Sequence, residues 1–277
     1  MTTRNIWKDK VCVVTGAASG IGRALAVALA GRGARLALSD TQEAGLAETV
    51  SLCGEAAEVH SQRLDCGDRA AVLAYPEQVV GHFGTVNTVI NNAGVNLTAD
   101  ALDQSVEDLE WVLQIDLYGV IWSTQAFLPH LVASGDGHLV NISSVFGLIG
   151  VPGQSAYNAA KFGVRGYTEA IAMEMALEGH PVTVHCVHPG GVATNIVRHG
   201  RVAGRNNHEK LSRTFDKMAR TSPEAAARAI IRGVEKGTRR ILVGKDAHII
   251  HTLSNALGSG YQALVKRSSV KMRPRRR

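Results

Sequence analysis

The feature that most constrains this chain is an alternation. Short apolar, β-rich runs are separated by stretches of 10–30 residues with helical pattern. "KVCVVTG" is followed by "IGRALAVALAGRG", with apolar residues at 21, 25, 28 and 29 and stop signals at Gly31 and Gly33. "ARLALSD", "AEVHSQRLD", "VNTVI", "GHLVNIS", "PVTVHCVHP" and "RRILVG" read as further strands. Helices are expected over "TQEAGLAETVSLCG", up to about Phe83, over 103–134 and 155–178, and over "SPEAAARAIIRGVEKG" with Ser222 as N-cap and Pro223 behind it. The polar stretch 190–221 has weak periodicity. Repeated β-α-β units with right-handed crossovers predict a single α/β domain: a doubly wound parallel sheet of about seven strands, helices on both faces. Such folds bind ligands outside the carboxyl ends of their strands.

Composition removes several function classes. The +6 charge belongs to the last twelve residues, "KRSSVKMRPRRR", which hold seven bases and no acid. Without those seven, 23 bases face 24 acids, so the folded body has no basic footprint for nucleic acid. Cys12, Cys53, Cys66 and Cys186 lack C-x-x-C or metal-ligand spacing, and four free thiols suit a reducing compartment. The N-terminal segment has no apolar h-region and no stretch reaches about 18 apolar residues. A cytoplasmic location is expected. His185, His188, His248 and His251 make no complete ligand set, so no metal is expected.

"TGAASGIG", residues 15–22, joins the first strand to the first helix. Gly16 permits the tight turn, Gly20 a close approach of phosphate, and Gly22 close helix–strand packing. The helix N-terminus would hold a pyrophosphate. Asp40 ends the second strand, 18 residues after Gly22, where an acid can accept bonds from an adenosine ribose. Its charge would repel a 2′-phosphate by about 1–2 kcal/mol after screening. Thr41 follows where an arginine would have welcomed one, so NAD is expected in preference to NADP.

In "AYNAAK", Tyr157 and Lys161 stand four apart, on one helix face. A phenol of ordinary pKa about 10 is barely ionised at neutral pH. An adjacent cation lowers such a value by about 1–3 units, which would bring Tyr157 toward the working range of a general acid/base.

Together the loop, the acid and the Tyr-Lys pair resemble the short-chain dehydrogenase/reductase family, over about residues 9–245. The resemblance implies a Rossmann-type fold. It further implies a cofactor site of Gly16, Ser19, Gly20, Ile21 and Gly22; of Asp40; of Asp65 and Cys66 in "LDCGD"; of Asn92, Ala93 and Gly94 in "NNAG"; and of Pro189, Gly190, Val192 and Thr194 in "HPGGVAT". Asp65 would bind the adenine amine, and Val192 and Thr194 the carboxamide of the nicotinamide. "NISSVFG" resembles the serine motif; Ser144, thirteen residues before Tyr157, is chosen over Ser143. The implied catalytic set is Ser144, Tyr157, Lys161 and Asp116. Asp116, in "QIDLYGV", stands where the family usually has asparagine. A family asparagine there kinks the helix, and its carbonyl holds a water linked to the lysine.

The expected organisation is a cofactor-binding and catalytic domain over 1–245 with a substrate loop at about 195–221, a helical extension over 246–265, and a basic disordered tail over 266–277. Arg198, Arg201 and Arg205 would either grip an acidic substrate or sit on a solvated lid with Phe215 and Met218. In the extension Ile250, Leu253, Leu257, Tyr261 and Leu264 recur at helical spacing, broken by Gly258 and Gly260. Packing over a pocket or a partner subunit is the first reading; a peripheral membrane anchor is the second and less favoured. The resemblance also implies a dimer or tetramer through helices 103–134 and 155–178. Two function classes follow: an NAD(H)-linked dehydrogenase of lipophilic secondary alcohols or ketones, or a non-catalytic cofactor-binding protein on the same fold. Within enzymes the alternative is an NADPH-dependent carbonyl reductase.

Overall fold

The computed structural model describes residues 5–204 and 206–272. Its centre is a seven-stranded sheet, parallel throughout. In chain order the strands are β1 Val11–Thr15, β2 Arg35–Asp40, β3 Val59–Arg63, β4 Thr88–Asn91, β5 Leu97–Thr98, β6 Gly137–Ile142, β7 Val182–Pro189, β8 Arg201–Val202 and β9 Arg240–Val243. The main sheet has the order β3-β2-β1-β4-β6-β7-β9, and β5 and β8 pair separately. The order reverses between β1 and β4, which opens the crevice where such sheets take ligands. The expected single α/β domain is the observed one.

The helices are α1 Gly20–Ala30, α2 Glu43–Cys53, α3 Arg69–Phe83, α4 Val106–Leu113, α5 Gly119–Ala133, α6 Ser155–Leu177, α7 His208–Met218, α8 Pro223–Glu235, α9 Lys245–Leu257 and α10 Tyr261–Met272. One core layer seats α1, α2 and α8 on the sheet through Leu25, Leu29, Leu46 and Ile230. The other seats α3, α5 and α6 through Tyr75, Val79, Phe127, Leu131, Ile171 and Met175. Strands covered on both faces lose alternation, which is why β1 is buried at all five positions.

A buried polar chain fixes α5 and α6 against the sheet. Ser123 donates to Asn91 at 2.6 Å, Asn91 to Asn141 at 2.8 Å, and Asn141 to Thr168 at 3.0 Å. Buried amides must be paired, so this chain tolerates one arrangement of β4, β6, α5 and α6. The helix bearing Tyr157 and Lys161 is thereby held in register with the strand that delivers Ser144.

Three expectations need correction. The helix expected over 103–134 starts at Val106, behind a Ser105 cap, and is broken by a π-helical turn over Gln114–Tyr118. The segment 190–221 contains β8 and α7; its few apolar residues hid them from a periodicity reading. The tail expected to be disordered from 266 is helical through Met272, as the end of α10. Arg205 and residues 273–277 lie outside the described residues.

Candidate active site

Four segments converge at the carboxyl ends of β1, β4, β6 and β7. The first is the glycine loop. Gly16 and Gly20 have φ of +67° and +55°, and a Cβ on Gly16 would lie 2.8 Å from the Ala93 backbone. Asn92 locks the loop from the other side: its amide donates to the Thr15 and Gly16 carbonyls at 2.9 and 3.1 Å. Thr15 Oγ1 accepts from the backbone of Asn92 and Ala93, both at 3.0 Å. The Asn92 amide is thus engaged in building the loop, and a ligand there meets mainly backbone.

The residues fit a dinucleotide. Helix α1 starts after Ser19 with no side chain capping it, so its positive end is open to an anion. At Gly20 an added Cβ would come within 3.0 Å of Thr194 Cγ2, filling the gap between the loop and the segment after β7. Asp40 accepts from Ala18 N at 2.9 Å and Gln42 N at 3.0 Å. Arg63 faces it in the β2–β3 register, a residue missed in the sequence because pairing of two strands is not visible there. Asp65 is exposed, with Oδ1 accepting from Gly67 N at 2.8 Å, and Cys66 is buried behind it.

The segment Pro189–Thr194 is held by Asp246, whose Oδ2 accepts from Gly191 N at 2.7 Å, and by the bridge of Val192 to Thr221. A Cβ at Gly190 would collide with the Asp246 carboxylate. Val192 is buried and Thr194 half-buried.

Ser144 caps a short 3-10 turn, Val145–Gly147, and its Oγ accepts from Phe146 N at 3.1 Å. It also lies near enough to the Tyr157 phenol to favour the ionised form. Ser143 points elsewhere, donating to the Lys161 carbonyl at 2.8 Å. His188 is fully buried and its Nδ1 lies 2.9 Å from the Ser144 carbonyl oxygen. No sequence signal marks His188, because its tie to Ser144 crosses from β7 to the end of β6.

Tyr157 is buried, with Phe146 edge-on to its ring at 6.0 Å and Lys161 Nζ 5.4 Å from the ring centre. Lys161 reaches the Ile142 carbonyl at 3.3 Å and the Asp116 carboxylate at 3.1 Å. Asp116 sits inside the π-helical turn, is fully buried, and accepts from Val95 N at 2.7 Å through Oδ1. Its Oδ2 meets Lys161 as an ion pair off the hydrogen-bond axis and has no other partner. Gly94 lies beside both, within 3.5 Å of their charged atoms by its Cβ direction.

The electrostatics correct one expectation. Burial pushes the Tyr157 phenol above its ordinary value; Lys161 opposes this, Asp116 adds to it, and nearby Ser144 lowers it again. The net direction is up, so the cation does not bring the phenol toward neutrality. Burial is the first cause, and Asp116 adds to it by answering the charge of Lys161. Burial alone would lower Lys161, but Asp116 and Tyr157 outweigh it and hold the ammonium charged.

Two arginines of the substrate loop, Arg198 and Arg201, are engaged within the protein. Arg198 pairs with Asp216 at 2.6 Å; Arg201 pairs with Asp108 at 2.9 Å and lies over the Trp111 ring at 4.0 Å. Among the described residues no cluster of His, Cys, Asp or Glu has metal-binding geometry. The cysteines are free, and burial pushes Cys12, Cys66 and Cys186 up to about 12, which leaves them inert.

This combination of sheet, glycine loop and Ser-Tyr-Lys cluster defines a class of dinucleotide-dependent oxidoreductases. Residues 10–204 match the family model described as short chain dehydrogenase, and the chain belongs to that family. It is 50% identical over 270 residues to the protein SadH of Mycobacterium tuberculosis, covering 97% of this chain and 98% of that one. It is 29% identical over 260 residues to human estradiol 17-beta-dehydrogenase 11, covering 93% and 82%. A short-chain dehydrogenase/reductase from Burkholderia phymatum, solved in complex with NAD, superposes with a TM-score of 0.83 at 29% identity, over 91% and 94% of the two chains.

Proposed function

We propose that the protein interconverts a lipophilic secondary alcohol and the corresponding ketone with NAD(H), and that Tyr157 carries the proton. One observation supports this above the others. Ser144 and Lys161 both stand beside the Tyr157 side chain, all buried at the strand ends where the glycine loop opens. NAD, when bound, supplies the acceptor or donor of hydride at the substrate carbon. Its pyrophosphate would rest on α1 and the glycine loop, its adenosine ribose at Asp40 and its nicotinamide along Val192 and Thr194. Tyr157 gives its proton to the ketone oxygen, or takes one from the alcohol. Ser144 Oγ holds that oxygen and stabilises the charge developing on it. Lys161, kept charged by Asp116, supports the phenolate left after proton donation.

The raised phenol favours a direction. At neutral pH Tyr157 holds its proton, the form needed to protonate a ketone. Reduction is therefore the reaction served at neutral pH, and alcohol oxidation calls for alkaline conditions. Phe146 against the Tyr157 ring, with buried Leu148 and Ile149 on the same loop, offers an apolar wall to the substrate. The name of the estradiol dehydrogenase relative fits a lipophilic alcohol.

Asp40 supports NAD over NADP. Arg63 beside it is the observation in favour of the second reading, an NADPH-dependent carbonyl reductase. A homodimer or homotetramer in the cytoplasm completes the proposal. Tyr118, Phe162, Met173 and Leu177 are exposed apolar residues on or beside α5 and α6, the helices the family resemblance assigns to subunit contact. A spectrophotometric assay with NADH and NADPH against lipophilic ketones, with Tyr157→Phe beside the wild type, tests the reading.

A further inference from the structure

The C-terminal helices present an apolar row to solvent, within a stretch of chain that carries no acid. Ile249, Leu253 and Leu257 stand at i, i+4 and i+8 of α9 and are 59%, 43% and 44% exposed; Leu264 of α10 is 52% exposed. Ala247 of α9 is buried and Ile250 half-buried, so the row of Ile249, Leu253 and Leu257 lies on the side of the helix turned away from the body. From Ala247 to residue 277 there is no Asp or Glu, against seven Lys and Arg and two His. Lys266 and Arg267 are exposed on α10, and five more bases follow at 271, 273 and 275–277.

The position of the pair is fixed. The Tyr261 hydroxyl at the start of α10 accepts from Gly150 N at 2.8 Å, which ties the hinge between the helices to the loop following Ser144. Gly258, with φ of +52°, makes the bend. The apolar row is thus displayed on a fixed frame.

We propose that this face binds the surface of an anionic lipid bilayer, with Ile249, Leu253, Leu257 and Leu264 in the interface and the basic residues on the headgroups. Apolar residues flanked by uncompensated bases match a negatively charged surface with an apolar interior. A second copy of the chain matches poorly. A two-fold contact through this face would bring two acid-free, basic segments together with nothing to neutralise them. No helix among the described residues is long and apolar enough to cross a membrane, so the contact is peripheral.

The test is sedimentation of the full chain with vesicles of phosphatidylcholine alone, or with about a third phosphatidylglycerol, at low salt and at high salt. Binding is expected to the anionic vesicles only, and to fall steeply with salt. The double variants Leu253→Gln with Leu257→Gln, and Lys266→Glu with Arg267→Glu, should each reduce partition by on the order of tenfold. Their melting temperatures and Tyr157-dependent activity on a water-soluble ketone should stay at wild-type values. No sedimentation with anionic vesicles at low salt overturns the proposal. So does binding that both variants leave unchanged. Light scattering that finds the wild type assembled through this face, with the leucine variant falling to a smaller species and no vesicle binding, would assign the face to a second copy instead.

Discussion

Lys161 Nζ lies 3.1 Å from the Asp116 carboxylate, and both side chains are sealed from solvent. The pair changes what the neighbouring phenol can do. A lone ammonium beside Tyr157 would pull its pKa down, but a carboxylate behind the ammonium cancels much of that pull. Burial then decides the direction, upward.

Replacing Asp116 by Asn should therefore lower the Tyr157 pKa. The alkaline rise of alcohol oxidation should move to lower pH, with turnover at the optimum within about tenfold of wild type. A pH–rate profile of both proteins checks this. An unmoved profile would mean that Asp116 does not act on Tyr157, and loss of all activity would give the carboxylate a task of its own. Asp116→Ala is a different case. It strands the buried ammonium of Lys161 and should cost about 3–5 kcal/mol of stability by urea unfolding.

The β-α-β alternation, the order of the motifs and the Ser144, Tyr157 and Lys161 cluster were all legible in the sequence. The alternation is written in local period and the Tyr157–Lys161 pair in local spacing; Ser144 and the order of the motifs came from the family resemblance. The π-helical turn around Asp116, the Ser144–His188 tie and the Arg63–Asp40 register were not legible. They depend on segments distant in the chain, so no window of sequence contains both partners. The direction of the Tyr157 shift was hidden for the same reason: Lys161 is four residues away, Asp116 forty-one. Helix α7 escaped because its polar composition gives a weak apolar signal.

Asp40→Ala should shift cofactor preference toward NADP(H) by roughly tenfold in kcat/KM, since it removes the repelling charge and leaves Arg63 in place. Adding Arg63→Ala should undo most of the gain. Paired titrations of NADH and NADPH by fluorescence quenching read this without turnover. If Asp40→Ala weakens both cofactors equally, the carboxylate acts only on the loop through Ala18 and Gln42.

His185 and His188 are fully buried, and burial lowers both to about 4. Their folded values lie below the unfolded value of about 6.5, so the unfolded chain binds the extra protons. The stability that depends on their neutral form is complete above about pH 6.5 and is lost as pH falls toward 4. By pH 5 the loss is about 2 kcal/mol for each, or on the order of 10 °C in Tm for the two together. Melting curves at pH 7.5 and 5 should show this drop, and the double variant His185→Gln, His188→Gln should flatten it.

Met173 on α6 is 56% exposed and lies on the helix expected to face another subunit. Met173→Asp should shift the protein to a smaller species by light scattering while leaving its circular dichroism unchanged. An unchanged mass would move the subunit contact to another surface.

The most direct measurement is reduction of a panel of lipophilic ketones by NADH at pH 7, followed at 340 nm, for the wild type and Tyr157→Phe. The proposal predicts NADH consumption by the wild type, a loss of about 10²–10⁴-fold in the variant, and unaltered NADH binding in both. Turnover that survives the loss of the phenol would contradict the central role given to Tyr157.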